Sequence, residues 1–229
     1  GVPLPDLWRD FMNSVAPASL PASGAPASGP AVPARLTRHG FLVGSPRFAP
    51  DGSALFYTLQ TPHRFPAIMR LDRGHGADEG PAGIPREIAT QYGAEGLSVG
   101  DRVVIFDQLE LETNVALRAD LYAVSPRGGA VAALTESARL MQPSLSPDGA
   151  SLVAIRIAGG RRELAWFDVR RKGGEGIRLE PRPGPDGGGQ AASPRWSPDG
   201  RLVAFERRVP RGPSEIAVAD PATGSIRVL

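Results

Sequence analysis

The sequence predicts an all-β fold, a β-propeller of four-stranded blades, and three observations carry that prediction. A Ser-Pro-Asp-Gly cluster followed by a short apolar run recurs along the chain at near-constant spacing. Each copy is followed by an alternating strand and a closing strand, with turn residues between them. Four short strands in 48 to 51 residues match the length of one propeller blade.

The first pair of strands is carried by the repeat itself. It reads SPRFAPDGSALFY from Ser45, QPSLSPDGASLVA from Gln142 and SPRWSPDGRLVAF from Ser193, with a worn copy, EGLSVGDRVVIF, from Glu95. Asp51, Gly100, Asp148 and Asp199 lie 49, 48 and 51 residues apart, a period rather than coincidental turns. Proline presets the backbone angle, aspartate can bond a neighbouring amide, and glycine accepts the left-handed conformation that closes the hairpin. Asp199 is therefore expected to be a turn residue rather than a reactive acid. The run after the turn is nearly all apolar because a mid-blade strand is covered on both faces, so Val103, Val104, Phe106, Leu202, Val203 and Phe205 should be core. Phe48, Leu145 and Trp196, two residues before the turn proline, should pack between blades.

The third strands read AIMRLD from Ala67, DLYAVS from Asp120, ELAWFD from Glu163 and EIAVAD from Glu215. The closing strands read PREIAT, AVAALT, GIRLEP and SIRVL. These place the blades at about 38–90, 91–135, 136–180 and 181–229, inside a propeller spanning 34–229. Residues 34–37 (ARLT) resemble a closing strand without its blade, a stub at the front. Four blades without a cysteine latch lead us to expect a piece of a larger ring of six to eight blades, since a propeller must close to hide its edges. Ahead of them, 13–33 form a Pro/Ala/Ser/Gly linker. Residues 1–12 place Leu7, Trp8, Phe11 and Met12 at helical spacing behind a possible Asp6 cap, a remnant of an upstream domain. The first residues show neither an initiator Met nor a signal peptide's regions, so the chain is expected to belong to something longer.

With the repeat quoted, its pattern resembles the TolB-like propeller repeat, the WD-like subtype marked by Ser-Pro-Asp-Gly and an apolar strand. The resemblance covers 34–229, and three of four copies carry the Pro-Asp-Gly core. The second repeat departs from it, with Val99, Gly100 and Asp101 where Pro-Asp-Gly would stand. Kelch repeats have a similar period but call for a Gly-Gly pair in every blade, and the corresponding pair, Gly159-Gly160, occurs in one blade only.

Composition narrows the chemistry. Basic and acidic residues nearly balance, 26 against 24, which does not suggest nucleic acid as a partner. There are no cysteines, so disulfides, thiolate nucleophiles and Cys-ligated zinc are excluded. No apolar run is long enough to insert in a membrane. His39, His63 and His75 form no zinc motif, no nucleophile elbow or phosphate loop is present, and the Gly-rich stretch from Pro183 lacks a phosphate loop's lysine. No catalytic residue, metal or cofactor is expected. Glu110 and Glu112 alternate with apolar residues as on the wet side of a strand.

What remains is surface. If the strands run as in other propellers, the Pro-Asp-Gly turns share one face, and the inter-blade loops and second-to-third-strand loops share the other. That loop face would carry Arg38, His39, His63, Arg64, Gln91, Tyr92, Arg139, Arg161, Arg162 and Arg211, with an insertion at 108–119. The resemblance implies a non-catalytic module of the bacterial envelope, periplasmic or secreted, that binds a protein or peptide. A second reading is a substrate-gating accessory domain of a secreted or periplasmic hydrolase of metallopeptidase or prolyl-oligopeptidase type. A third is a small-ligand or sugar-binding propeller acting through its central channel.

Overall fold

The computed structural model describes residues 36–37, 39, 41–73, 83–93, 96–112, 116–173 and 176–229. The expected helix at 1–12, the linker at 13–33, Arg38 and His75 lie outside the described residues. Of the expected stub, Leu36 and Thr37 are described, outside any strand. The described residues belong to one compact unit, Leu36–Leu229.

Each repeat folds into its own four-stranded antiparallel sheet, with the strands in chain order. Blade 1 holds β1 (Leu42–Phe48), β2 (Ala54–Thr61), β3 (Arg64–Asp72) and β4 (Arg86–Thr90). Blade 2 holds β5 (Leu97–Val99), β6 (Val104–Glu112), β7 (Ala116–Val124) and β8 (Ala132–Ala133). Blade 3 holds β9 (Leu140–Leu145), β10 (Ser151–Ala158), β11 (Arg161–Lys172) and β12 (Gly176–Arg182). Blade 4 holds β13 (Gln190–Trp196), β14 (Val203–Arg208), β15 (Ser214–Ala219) and β16 (Ile226–Val228). The first strands of successive blades, β1, β5, β9 and β13, pack against one another as the innermost layer.

The Pro-Asp-Gly turns close as their chemistry requires. Asp51, Asp148 and Asp199 each accept the backbone N–H two residues on, from Ser53, Ala150 and Arg201, at 2.9, 3.0 and 3.1 Å. Gly52, Gly149 and Gly200 follow at φ near +70°, which a side chain would strain. In blades 3 and 4, Ser146 and Ser197 donate to those carboxylates at 2.5 Å and accept from the far side of the turn. The serine bonds come first in holding the Asp148 and Asp199 carboxyls below their ordinary value. A depressed folded-state value contributes stability above the unfolded value near 3.9 that is lost as the pH falls through the folded one. Asp148→Asn with Asp199→Asn is therefore expected to flatten the acid limb of a stability-versus-pH curve below about pH 4, where the wild type falls; identical acid limbs would contradict it. Blade 2 differs: Gly100 N–H donates to Val103 O at 2.8 Å around Asp101 and Arg102, a tighter turn with no aspartate clasp.

Mid-blade strands build the core. Val104, Ile105 and Phe106 in β6 and Leu152, Val153, Ala154 and Ile155 in β10 are fully buried, as a strand covered on both faces should be. In blade 4, Val203 and Phe205 are buried while Ala204 between them is exposed, so β14 is covered on one face only among the described residues. Val103 and Leu202, at the turn ends, are half-buried rather than core. Leu145 packs on Ile105 and Leu121 of blade 2, and Trp196 sits edge-on to Trp166 of blade 3, ring centroids 5.9 Å apart. Phe48 departs from expectation: it is 59% exposed, with the Arg73 guanidinium over its ring. Trp196 and Leu145 each pack on the preceding blade, and no described blade precedes the first.

The blades are also joined by a clasp. Ser45, Gln142 and Ser193 each adopt a positive φ of 48 to 53° at a bulge in the innermost strand, just before a proline. The bulge turns backbone N–H groups toward the neighbouring blade: Gln142 N–H reaches Asp107 Oδ2 of blade 2 at 2.7 Å, and Ser193 N–H reaches Gln142 Oε1 of blade 3 at 2.8 Å.

Candidate functional site

The strand directions separate two faces. The β1–β2 turns lie with the β3–β4 connections at one end, where Arg73 Nη1 donates to Gly52 O at 3.3 Å. The β2–β3 turns lie with the inter-blade connections at the other, where Arg162 N–H donates to Gln190 Oε1 at 2.8 Å.

The residues that the sequence assigns to the loop face do not converge. Gln91 is 2% exposed: its Nε2 donates to Gly96 O and Asp107 O, and it serves the interior rather than a partner. It belongs to the same knot as Asp107, itself 1% exposed and held by Gly96 N–H at 2.7 Å. His39 Nε2 meets the hydroxyl of Tyr57 at 2.6 Å, and burial pushes that phenol up to about 12. Arg64, strongly exposed, pairs with Glu87 at 3.5 Å, worth little on an open surface. His63 lies in the exposed β2–β3 turn, Tyr92 is half-exposed after β4, and Arg161 and Arg162 open β11. Arg139 and Arg211 sit at positive φ, 55° and 62°, in connections. Of the insertion expected at 108–119, the described residues are strand rather than loop: Gln108 pairs with Asp120 and the ladder runs on to Glu112 and Ala116, lengthening the β6–β7 hairpin. Glu110 accepts a bond from Tyr122, and burial, then that bond, raises the phenol.

The concave surfaces lie elsewhere. A groove of about 860 Å³ crosses the turn ends of blades 1, 2 and 3, lined by Pro50, Asp51, Arg70, Asp101, Arg102, Arg127, Asp148 and Arg171 among others. Beneath it Phe56 is fully buried, with the Arg70 guanidinium 5.6 Å over the ring. A second cavity, of about 210 Å³, lies where the innermost strands of all four blades meet, lined by Arg47, Leu97, Ser144 and Arg195. A third, of about 500 Å³, lies beside Trp166 in blade 3. None of the three is lined by a loop-face residue named above. Arg47 and Arg195 are absent from the expected site residues because they sit inside the fold motif. The available signal was arginine at the same motif position in SPRF and SPRW, where the third copy has Ser144.

No group of three or more His, Cys, Asp and Glu side chains is placed to hold a metal ion among the described residues, and no helix among them is long and apolar enough to cross a membrane. Four sequential antiparallel sheets packed by their first strands define a β-propeller fold. The solved structures it resembles include TolB from Acinetobacter baumannii, with a TM-score of 0.61 and 20% identity over 82% of this chain and 43% of that one. A putative TolB from Agrobacterium tumefaciens matches with a TM-score of 0.56 and 19% identity, over 82% of this chain and 61% of that one. A puromycin-hydrolyzing peptidase of Mycobacterium tuberculosis matches with a TM-score of 0.56 and 14% identity, over 85% of this chain and 29% of that one. The chain thus spans about half the length of the TolB chains, and identities this low establish the fold alone. No family model matches the sequence, and no curated protein does.

Proposed function

We propose that this chain is a non-catalytic, protein- or peptide-binding propeller module of a bacterial cell envelope, acting in the periplasm or outside the cell. The observation that carries the reading is the turn-face groove of about 860 Å³, which spans three blades and presents arginines and aspartates beside Val99, Val169 and Ile177. A rigid scaffold with alternating charge around apolar ground suits an extended protein segment. The likeness to TolB structures favours the envelope. The four blades are read as an arc of a larger ring, supported by the uncovered face of β14 on blade 4.

The test is capture from a bacterial envelope extract by the full chain. Arg102, Arg127 and Arg171 changed together to Glu are expected to abolish capture, whereas Arg64, Arg139 and Arg162 changed together to Glu should leave it. The converse would move the site to the loop face, and capture indifferent to both would overturn the reading. The alternative, a substrate-gating domain of a secreted hydrolase, is favoured by the peptidase match, of which this chain covers 29%. An HExxH helix encoded immediately upstream in the parent gene would support that alternative.

A further inference from the structure

The cavity where the innermost strands meet holds a charge without a counter-charge. Arg47 of blade 1 and Arg195 of blade 4 both line it, and no aspartate or glutamate does. Both arginines are half-buried. Arg47 donates through Nε to Leu97 O at 3.2 Å and through Nη1 to Pro46 O at 2.7 Å. Arg195 donates through Nη1 to Pro194 O at 2.7 Å. These carbonyls aim the guanidinium groups and leave several of their five N–H donors over. No carboxylate pairs with either arginine among the described residues. Burial, and then the charge of Arg47, pushes Arg195 down to about 10, so the two cations share one field. Arg47 is likewise lowered by burial.

Two desolvated like charges in one small cavity oppose folding unless something else uses them, and an incoming anion would relieve both. The size limits the anion. About 210 Å³ is below the roughly 300–1,000 Å³ of drug-sized pockets, room for one residue of a peptide rather than a nucleotide. The walls suit that residue: the exposed Phe48 and the half-buried Trp196 ring supply apolar surface, and Trp196 Nε1 is already committed to Ser144 O at 3.0 Å. The cavity reaches Pro50, Pro147 and Pro198 of the turns, so it opens on the same face as the groove.

We propose that Arg47 and Arg195 form a binding site for a peptide carboxylate, into which the partner docked on the turn face inserts a C-terminal or acidic residue. The planar guanidinium forks match a carboxylate in bidentate geometry, which fixes orientation as well as charge. The inference rests on the protein-binding reading above, and the two fail separately.

Calorimetric titration of the full chain with three capped tripeptides tests it. Acetyl-Ala-Ala-Ala with a free C-terminus carries a terminal carboxylate, acetyl-Ala-Glu-Ala-amide a side-chain one, and acetyl-Ala-Gln-Ala-amide neither. At least one acid peptide is expected to bind at least 10-fold more tightly than the neutral one, and Arg47→Gln with Arg195→Gln should remove that preference. Which acid binds tells the terminus from the side chain. Removing two repelling charges should leave the variant's melting temperature no lower, so lost binding would not reflect lost folding; Arg195→Lys, which keeps charge but not the fork, should retain part of the affinity. Equal binding of all three peptides, a preference that survives the double variant, or uptake of inorganic phosphate alone would each overturn the proposal. Envelope capture without any acid-peptide binding would sink this site and leave the docking reading; acid-peptide binding without capture would do the reverse.

Discussion

Replacing Asp107 by alanine is expected to lower the stability of the chain by about 3 kcal/mol at neutral pH, since each buried donor left without a partner costs roughly 1–3 kcal/mol. The carboxylate of β6 accepts Gly96 N–H through Oδ1 and Gln142 N–H through Oδ2, both at 2.7 Å, and Gln91 Nε2 at 3.3 Å. One side chain thus fixes the loop entering blade 2 and the bulge that opens blade 3. Its surroundings leave little slack: a methyl group on Gly96 would collide with Asp107 Oδ2 and come within 2.7 Å of Pro143. Asparagine should rescue little, because its amide group would turn a donor toward one of the two N–H groups. The pH dependence has a definite sign. Burial raises the Asp107 carboxyl against the bonds that lower it, so the site's contribution is fully present below the unfolded value near 3.9 and declines as the pH climbs toward the folded one. The destabilisation by Asp107→Ala should accordingly be larger in acid than at pH 7. Urea unfolding at both values measures it, and an alanine variant as stable as the wild type would refute the role.

Trp166→Ala is expected to cost about 3–5 kcal/mol, the range for removing a large buried aromatic. The indole of Trp166, 3% exposed, is the largest piece of the packing between blades 3 and 4. Its Nε1–H donates to Pro185 O at 2.8 Å, holding the connection to blade 4, and its ring receives Trp196 edge-on and Arg182 at 5.6 Å. Gly184 lies so close that any β-carbon there would enter the ring, which requires glycine in the connection. Trp166→Phe keeps most of the packing and loses the bond to Pro185, so its cost should be nearer 1–2 kcal/mol. Denaturant unfolding with near-ultraviolet dichroism separates the two variants. A loss below about 1 kcal/mol for alanine would mean that the blades are joined mainly elsewhere.

Both predictions concern contacts between blades, where the sequence was least legible. The hairpins could be read because their chemistry is local: Asp148 and the N–H of Ala150 it bonds are two residues apart, and Gly149 follows directly. Asp107 and Gln142 are 35 residues apart, and nothing in VVIFDQ distinguishes a clasping aspartate from one on a wet strand edge. Gln91 departs from expectation for the same reason: a glutamine after a closing strand looks like a loop residue until Asp107 folds over it. The described part of the insertion expected at 108–119 is hairpin strand, because hairpin length depends on pairing across the turn.

Local sequence chemistry specifies the blade: its period, its four strands, the turn that closes its first hairpin and most of its apolar centre. These follow from interactions within a few residues and from a two-residue alternation, and three of the four repeats restate them in full. What the blades share comes from long-range packing. It joined Asp107 to Gln142, set Trp196 against Trp166, and brought Arg47 and Arg195, 148 positions apart, into one cavity. A repeating motif encodes the unit, whereas charges meeting at the centre depend on how many units stand between them and how each is turned.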